Sequence, residues 1–472
     1  MNKTKLFLEN FIVYGLGGVI SKIIPLIMVP IVAKIMPTTE YFGISDMSNT
    51  IISFASALAI MGMYDAMYRL FFEKDDDNFK KEICSTTLFF TIIASTVVFI
   101  LMLLFKNQLA KCFFKDKGLF YVIYISAMAT LVSATNGIIS APTRMQNQKK
   151  IFLVTNTISP IISYGISIPL LLKGYYIIAL PFAGAISGLS MEIVFAVLNR
   201  KWFSLKNVKK EHLKPLLSIA LPLVPNFLIY WIFNSSDRLM ITNLLSLGDD
   251  GIYAVGAKLG MASQLIYTAF AGGWQYFAFA TMNEKDQVKT NSCIFEYLGA
   301  ISFAGTTGVC AFSYFIYDLL FDGDYVKGFI VAPYLFLAPL LQMLFQVEAN
   351  QFLVIKKTWP NLFIMFSGAV CNIGLNFILI PRIGIEGAAI ATLLGYCITD
   401  VICTIVLIKI KLMVISPRFI GCLALFCGYF VFWRLFCSER TILSMLGTFV
   451  VCIVFVLFYS NELKLITEKI KN

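Results

Sequence analysis

The chain has 472 residues, of which 58% are hydrophobic, 15% aromatic and only 14% charged, and its mean hydropathy is +0.80. Soluble domains carry roughly a quarter charged residues, so this composition excludes a water-soluble globule, a disordered chain and a disulfide-stapled secreted module, and leaves a polytopic, all-α membrane protein. The net charge of +11, from 38 Lys and Arg against 27 Asp and Glu, fits basic loops that set membrane orientation and gives no reason to expect a nucleic-acid partner.

A helix crosses the hydrocarbon with about 20 apolar residues. Fourteen such segments follow one another, near 10–35, 44–68, 84–105, 119–142, 151–172, 175–198, 215–244, 251–282, 292–317, 329–349, 359–380, 385–410, 418–436 and 441–459. The connections are short and polar, the longest being Asn199 to Lys214, so none holds a soluble domain. With both termini in the cytoplasm, the inner segments carry twenty-five basic residues and the outer segments nine, as orientation by positive charge requires. One outer loop, Lys106 to Lys117, breaks the rule with four lysines. The first apolar segment is of full length with no small-residue cleavage site after it, which predicts no cleaved signal.

Span one holds Tyr14-Gly15-Leu16-Gly17-Gly18, then Lys22 and Pro25. The glycines follow no strand, so close helix packing explains them better than a nucleotide-binding turn. Lys22 falls roughly 16 Å into the span at 1.5 Å per residue, on the side of Gly15, Gly18 and Pro25. Two readings fit a cation at that depth, the wall of a water-filled cavity or a structural ion pair. Pro25 removes a backbone donor and bends the helix. At the inner end of span two, Asp65 and Arg69 share a face at i,i+4, and Arg144 closes span four in Ala141-Pro142-Thr143-Arg144. For these three, a solvated or paired interface charge and a site stand as alternatives.

Span seven contains Leu221-Pro222-Leu223-Val224-Pro225, whose two prolines predict a weak, bendable helix, and later Asp237-Arg238. Lys258 lies about seven residues into span eight from the same side. Asp237 and Lys258 could pair for structure, or the three charges could meet at a transport site. Glu192, Glu348 and Asp400 are further acids within spans. A Gly-Ile turn enters spans two, eight and twelve, at Gly43-Ile44, Gly251-Ile252 and Gly384-Ile385. Spans two and eight are six apart, as in a parallel repeat of two halves. That divides the chain into bundles 1–200 and 201–411, with two appended helices in 412–472.

No G-x-x-x-x-G-K-[ST] loop occurs, so nucleotide hydrolysis is not expected. One histidine, His212, and eleven cysteines without a CxxC pair make no credible metal site. A Cys112–Cys437 bond stays open, because both fall in loops placed outside.

In order along the chain, Asn10-Phe11-Ile12-Val13-Tyr14-Gly15, Ser21-Lys22, Tyr41-Phe42-Gly43, Gly62-Met63-Tyr64-Asp65, Arg69-Leu70-Phe71-Phe72, Leu221-Pro222-Leu223-Val224-Pro225, Asp237-Arg238, Gly251-Ile252-Tyr253, Ala257-Lys258-Leu259, Asn376-Phe377-Ile378-Leu379-Ile380-Pro381 and Gly384-Ile385-Glu386-Gly387-Ala388-Ala389 resemble the polysaccharide (O-antigen and capsule) flippase family, in the superfamily of multidrug extruders and the lipid II flippase. The resemblance implies two six-helix bundles around a central cavity, alternating access, a plasma-membrane location and an undecaprenyl-diphosphate-linked oligosaccharide as cargo for lipopolysaccharide or capsule. It implies no catalytic residue and no cofactor beyond a coupling proton or sodium, with a polysaccharide polymerase and glycosyltransferases as partners. Carried onto this chain, Lys22, Arg69, Arg144, Arg238 and Lys258 bind the diphosphate, and Asp65, Asp237, Pro25, Pro222 and Pro225 gate or pair. A cation-coupled multidrug exporter of the same superfamily and a membrane polysaccharide polymerase or ligase are the alternatives. The small outer loops stand against the enzyme, and the lysine in span one against a cationic cargo.

Overall fold

Apolar side chains cover whole helix circumferences here, not a single stripe, so each helix has a neighbour on one side and lipid on the other. A computed structural model describes residues 23–260, 262–282, 284–357 and 359–460, and among these there is no strand. Ten helices are long and apolar enough to cross a membrane, or up to twelve if each bent pair is one span. These counts hold for the described residues, and the number of fourteen spans expected from the sequence is not confirmed by them. Span one is described only as α1, Ile23–Ile35, and span eight consists of two shorter helices.

The chain forms two compact units that divide between Ala254 and Val255. The first begins with α1, followed by α2 (Thr39–Ile60) and α3 (Met63–Phe71). Then come α4 (Asp77–Leu104), α5 (Lys106–Phe114), α6 (Phe120–Met145), α7 (Lys149–Leu172) and α8 (Tyr176–Leu198). After single turns come α9 (Leu213–Ala220), α10 (Val224–Leu244) and α11 (Leu247–Gly260), the last of which runs across the division. Helix α6 is the centre of this unit and packs on α2, α4 and α8. Ile92, Ile93, Val97, Ile100, Leu101 and Leu104 on α4 stay exposed, as a lipid-facing surface requires. Asp76 starts α4 by accepting from the Asn78 and Phe79 amides at 3.0 and 3.4 Å.

The basic segment after α4 is helical over its first nine residues. It is an amphipathic helix, α5, which buries Ala110, Phe113 and Phe114 and keeps its lysines outward. Lys106 donates to the Tyr124 hydroxyl and sits 5.2 Å from the Phe120 ring centre. Between α8 and α9, His212 Nε2 lies 2.9 Å from Glu82 Oε2 and ties the basic connection to α4. Glu211 offers a third ligand atom within 4.8 Å of these two.

The second unit comprises α12 (Ser263–Ala280), α13 (Gln287–Leu320), α14 (Ala332–Val354), α15 (Trp359–Ile383), α16 (Ile385–Lys409), α17 (Pro417–Phe432) and α18 (Thr441–Phe458). α14 packs on α12, α13 and α16, and α15 runs along α16. The last two helices are pinned by ionic contacts. Glu296 of α13 accepts from the Ser416 amide and hydroxyl at 2.6 and 2.7 Å, at the start of α17. A π-turn, Trp433–Cys437, follows α17. It presents Arg434 to Glu386 through both carboxylate oxygens, and Tyr334 donates to the same carboxylate at 2.8 Å. All eleven cysteines are free, with Cys112 exposed in the first unit and Cys437 buried in the π-turn of the second.

Candidate functional site

The first unit carries two charged sites of opposite character, one open and one closed. The open one exists because α2 and α3 are not one straight helix. Met61 and Gly62 take left-handed backbone, with φ of 50° and 77°, and the axis turns by 47° between the helices. Glycine is required at 62 for a second reason, since a β-carbon there would lie 2.6 Å from the Ala220 carbonyl oxygen of α9. The turn brings Tyr64, Asp65, Tyr68 and Arg69 of α3 against the end of α6. There Pro142 stands within the helix, Arg144 occupies the last turn, and Asn147 reverses the chain at φ 55°.

These groups enclose a cavity of about 680 Å³ lined by Tyr64, Asp65, Tyr68, Arg69, Arg144, Met145 and Asn147. Arg69 and Arg144 are both exposed in it. Neither forms an ion pair among the described residues, so both guanidinium groups keep their donors for a ligand. Arg144 lies over the Phe152 ring at 4.8 Å, a stacking that fixes its plane and leaves its edge free. Tyr64 and Tyr68 stand 6.2 Å apart, and Tyr68 continues to Phe72 at 5.5 Å. A wall of aromatic faces beside two planar, five-donor cations suits a phosphate flanked by a sugar or lipid. Residues 75 positions apart thus share one pocket. Their separate sequence signals were an i,i+4 pair and a helix end, and neither reveals the meeting.

The closed site lies among α2, α10 and α11. Asp46, Asp237, Arg238, Asp250 and Tyr253 are 4, 4, 9, 0 and 1% exposed. The Arg238 guanidinium donates to Asp46, and its backbone amide donates to Asp237 Oδ1 at 2.9 Å. The Tyr253 hydroxyl donates to the same Asp237. Asp250 makes no hydrogen bond with either carboxylate oxygen, and the charges of Asp46, Asp237 and Arg238 act on it. Arg238 is thus paired and buried, not presented to a cavity. Asp46 was missed in the sequence although an acid so near the start of an apolar span is a signal in itself.

Directly beside this cluster, α2 and α11 approach backbone to backbone. A β-carbon on Gly43 would lie 1.9 Å from the Leu247 carbonyl oxygen, and one on Gly251 would lie 2.0 Å from that of Thr39. Both glycines open Gly-Ile turns noted in the sequence. Of the other anticipated residues, Lys22 lies outside the described residues and Lys258 is half-buried on α11 in the second unit. Pro25 is half-buried in α1. Pro222 and Pro225 mark a tightened turn, Leu221–Leu223, between α9 and α10, each in the first turn of its element, where proline is tolerated.

A family model described as "Polysaccharide biosynthesis protein" matches residues 7–274, more than half of the chain. Among solved structures, a lipid II flippase MurJ in an inward closed conformation superposes with a TM-score of 0.71 at 15% identity, covering 96% of this chain and all of that one. An inward-facing MATE family multidrug resistance transporter of the MOP superfamily gives 0.63 at 13%, over 83% of this chain and 98% of its own. An outward-facing MATE transporter gives 0.58 at 15%, over 86% and 95%. No curated protein matches the sequence at comparable significance. Multiple apolar helices, the fold common to MurJ and the MATE transporters, and the matched family model agree: the chain is a multi-pass membrane protein that belongs to the polysaccharide biosynthesis protein family.

Proposed function

We propose that the protein is a flippase, and not an enzyme, that carries undecaprenyl-diphosphate-linked oligosaccharide from the cytoplasmic to the outer leaflet of the bacterial plasma membrane. The product would feed O-antigen, capsule or another surface polysaccharide. The observation that carries this reading is the pairing of Arg69 and Arg144, without carboxylate partners, across one aromatic-walled cavity. A diphosphate is strongly anionic, and two guanidinium groups match its oxygens in charge and geometry. Tyr64 and Tyr68 offer ring faces to the first sugar.

Alternating access is supported by the contrast between the two sites, one open with free cations and one closed by backbone contact and a buried ion pair. We take both termini as cytoplasmic, which puts the Arg69–Arg144 cavity on the side where the lipid-linked sugar is made. Fourteen spans in two six-helix bundles, 1–200 and 201–411, with 412–472 appended, complete the reading, and Lys22 and Lys258 stay candidates for the diphosphate by resemblance. A polymerase and glycosyltransferases would act before and after it. The shared fold with MATE transporters supports a second reading, a cation-coupled multidrug exporter, but two unpaired arginines repel a cationic drug.

Reconstituted vesicles loaded with fluorescent polyprenyl-diphosphate oligosaccharide test this. The protein should equilibrate the lipid between leaflets, and Arg69→Ala with Arg144→Ala should abolish it. Export of cationic dyes unaffected by that double change would instead establish the second reading.

A further inference from the structure

Two carboxyl groups in the second unit lie deep in the helices with nothing to neutralise them. Glu348 of α14 is 1% exposed and Asp400 of α16 is 7% exposed. Glu348 is six residues before the end of α14 and Asp400 nine before the end of α16, so they sit about 9 and 13 Å in at 1.5 Å per residue. They face each other across the packed α14–α16 pair. Thr404, one turn beyond Asp400 on α16, donates its hydroxyl to Glu348 Oε1. The Glu348 charge acts on Asp400.

The two acids are not equivalent. Glu348 has one side-chain donor on it, the Thr404 hydroxyl. Asp400 has none: both its oxygens are buried without a hydrogen-bond partner, and so is Glu348 Oε2. The other titratable groups against the pair are Cys403 and Cys397, both on α16. No lysine, arginine or histidine acts on either carboxyl among the described residues. Two like charges buried together with no counter-ion cost several kcal/mol each in a medium that poorly solvates them. One proton relieves this, turning the orphaned carboxyl into a donor for its neighbour.

We propose that Glu348 and Asp400 form a proton-binding pair that couples transport to the proton gradient, Asp400 being the proton carrier and Glu348 the ionised partner that accepts from it. This rests on reading the chain as a transporter. In the step, the Asp400 carboxylate takes one proton from water on one side of the membrane and returns it on the other; no other bond is made or broken. The pair lies in a different unit from the Arg69–Arg144 cavity, so proton and cargo are held by different helices.

Infrared difference spectroscopy of the purified protein reads the proton without needing cargo. A protonated-carboxyl carbonyl band should be present at neutral pH, vanish in Asp400→Asn and change in Glu348→Gln. In vesicles, transport driven by a pH gradient should fall about tenfold or more in Asp400→Asn, within the usual range of coupling between sites. Equilibration of cargo down its own gradient should persist. A band unchanged in both variants, or undiminished gradient-driven transport, would overturn the proposal. Binding of radioactive sodium that Asp400→Asn abolishes would overturn it too, in favour of a metal cation. If the wild-type protein moves no lipid-linked sugar yet shows the band, the flippase reading fails and the protonated pair stands.

Discussion

Gly43 and Gly251 lie against one another with their amides facing, each where the other helix's backbone leaves no room for a methyl group. The contact is made of backbone, so no rotamer change can relieve a larger residue. Gly43→Ala or Gly251→Ala should force α2 and α11 apart and lower stability by about 1–3 kcal/mol, the usual cost of overpacking. Thermal denaturation in detergent measures this, and an unchanged melting temperature in both variants would show that the helices separate at no cost.

Arg238 and Asp46 should behave as a buried pair. Removing one partner leaves an unpaired charge in the interior, at a cost of about 3–5 kcal/mol, whereas replacing both by apolar residues is often neutral. Asp46→Leu or Arg238→Met alone should therefore reduce the folded fraction on size-exclusion chromatography. The two together should restore only part of it, because Asp237 and Asp250 are then left buried without their cation. Full recovery in the double variant would show that Arg238 serves Asp46 alone.

The cavity cations should be sensitive to shape as well as charge. Hydrogen bonds to charged groups contribute about 1.5–3 kcal/mol, so Arg144→Ala should weaken binding of a soluble polyprenyl-diphosphate analogue by roughly 10- to 150-fold. Arg69→Lys and Arg144→Lys should recover only part of it, because lysine lacks the planar fork. Titration calorimetry at two salt concentrations separates the effects: the lysine variants keep the salt dependence, the alanine variants lose it.

Arg434 holds the last two helices to the second unit through a two-oxygen contact with Glu386. Arg434 is 42% exposed on its side chain, so solvent screens the pair and its contribution stays within about 0.2–1 kcal/mol, the range for exposed ion pairs. Arg434→Lys should not replace it. Limited proteolysis in the connection before α17 should speed up by a few-fold in both Arg434→Ala and Arg434→Lys.

Much of the membrane character was legible because hydrocarbon leaves few options: apolar runs of about 20 residues must be helices. What escaped was whatever depends on how helices bend and meet. Gly62 could be read as a glycine but not as a 47° turn, because the Ala220 carbonyl that demands it lies far along the chain. Arg69 and Arg144 each looked like an ordinary interface charge until the turn placed them in one cavity. Arg238 stood out as a cation within a span, and its partner Asp46 was passed over, so its pairing was invisible. Periodicity reports one helix at a time, and both charged sites are made by several.

One helix serves both. Asp46 is near the start of α2 and the hinge at Met61–Gly62 is at its finish, about 21 Å further along at 1.5 Å per residue. Beyond the hinge, nine residues carry Arg69. Any tilt of α2 that unseats Asp46 from Arg238 therefore swings the arm bearing the cavity's arginine, so the buried ion pair and the open cavity share one lever.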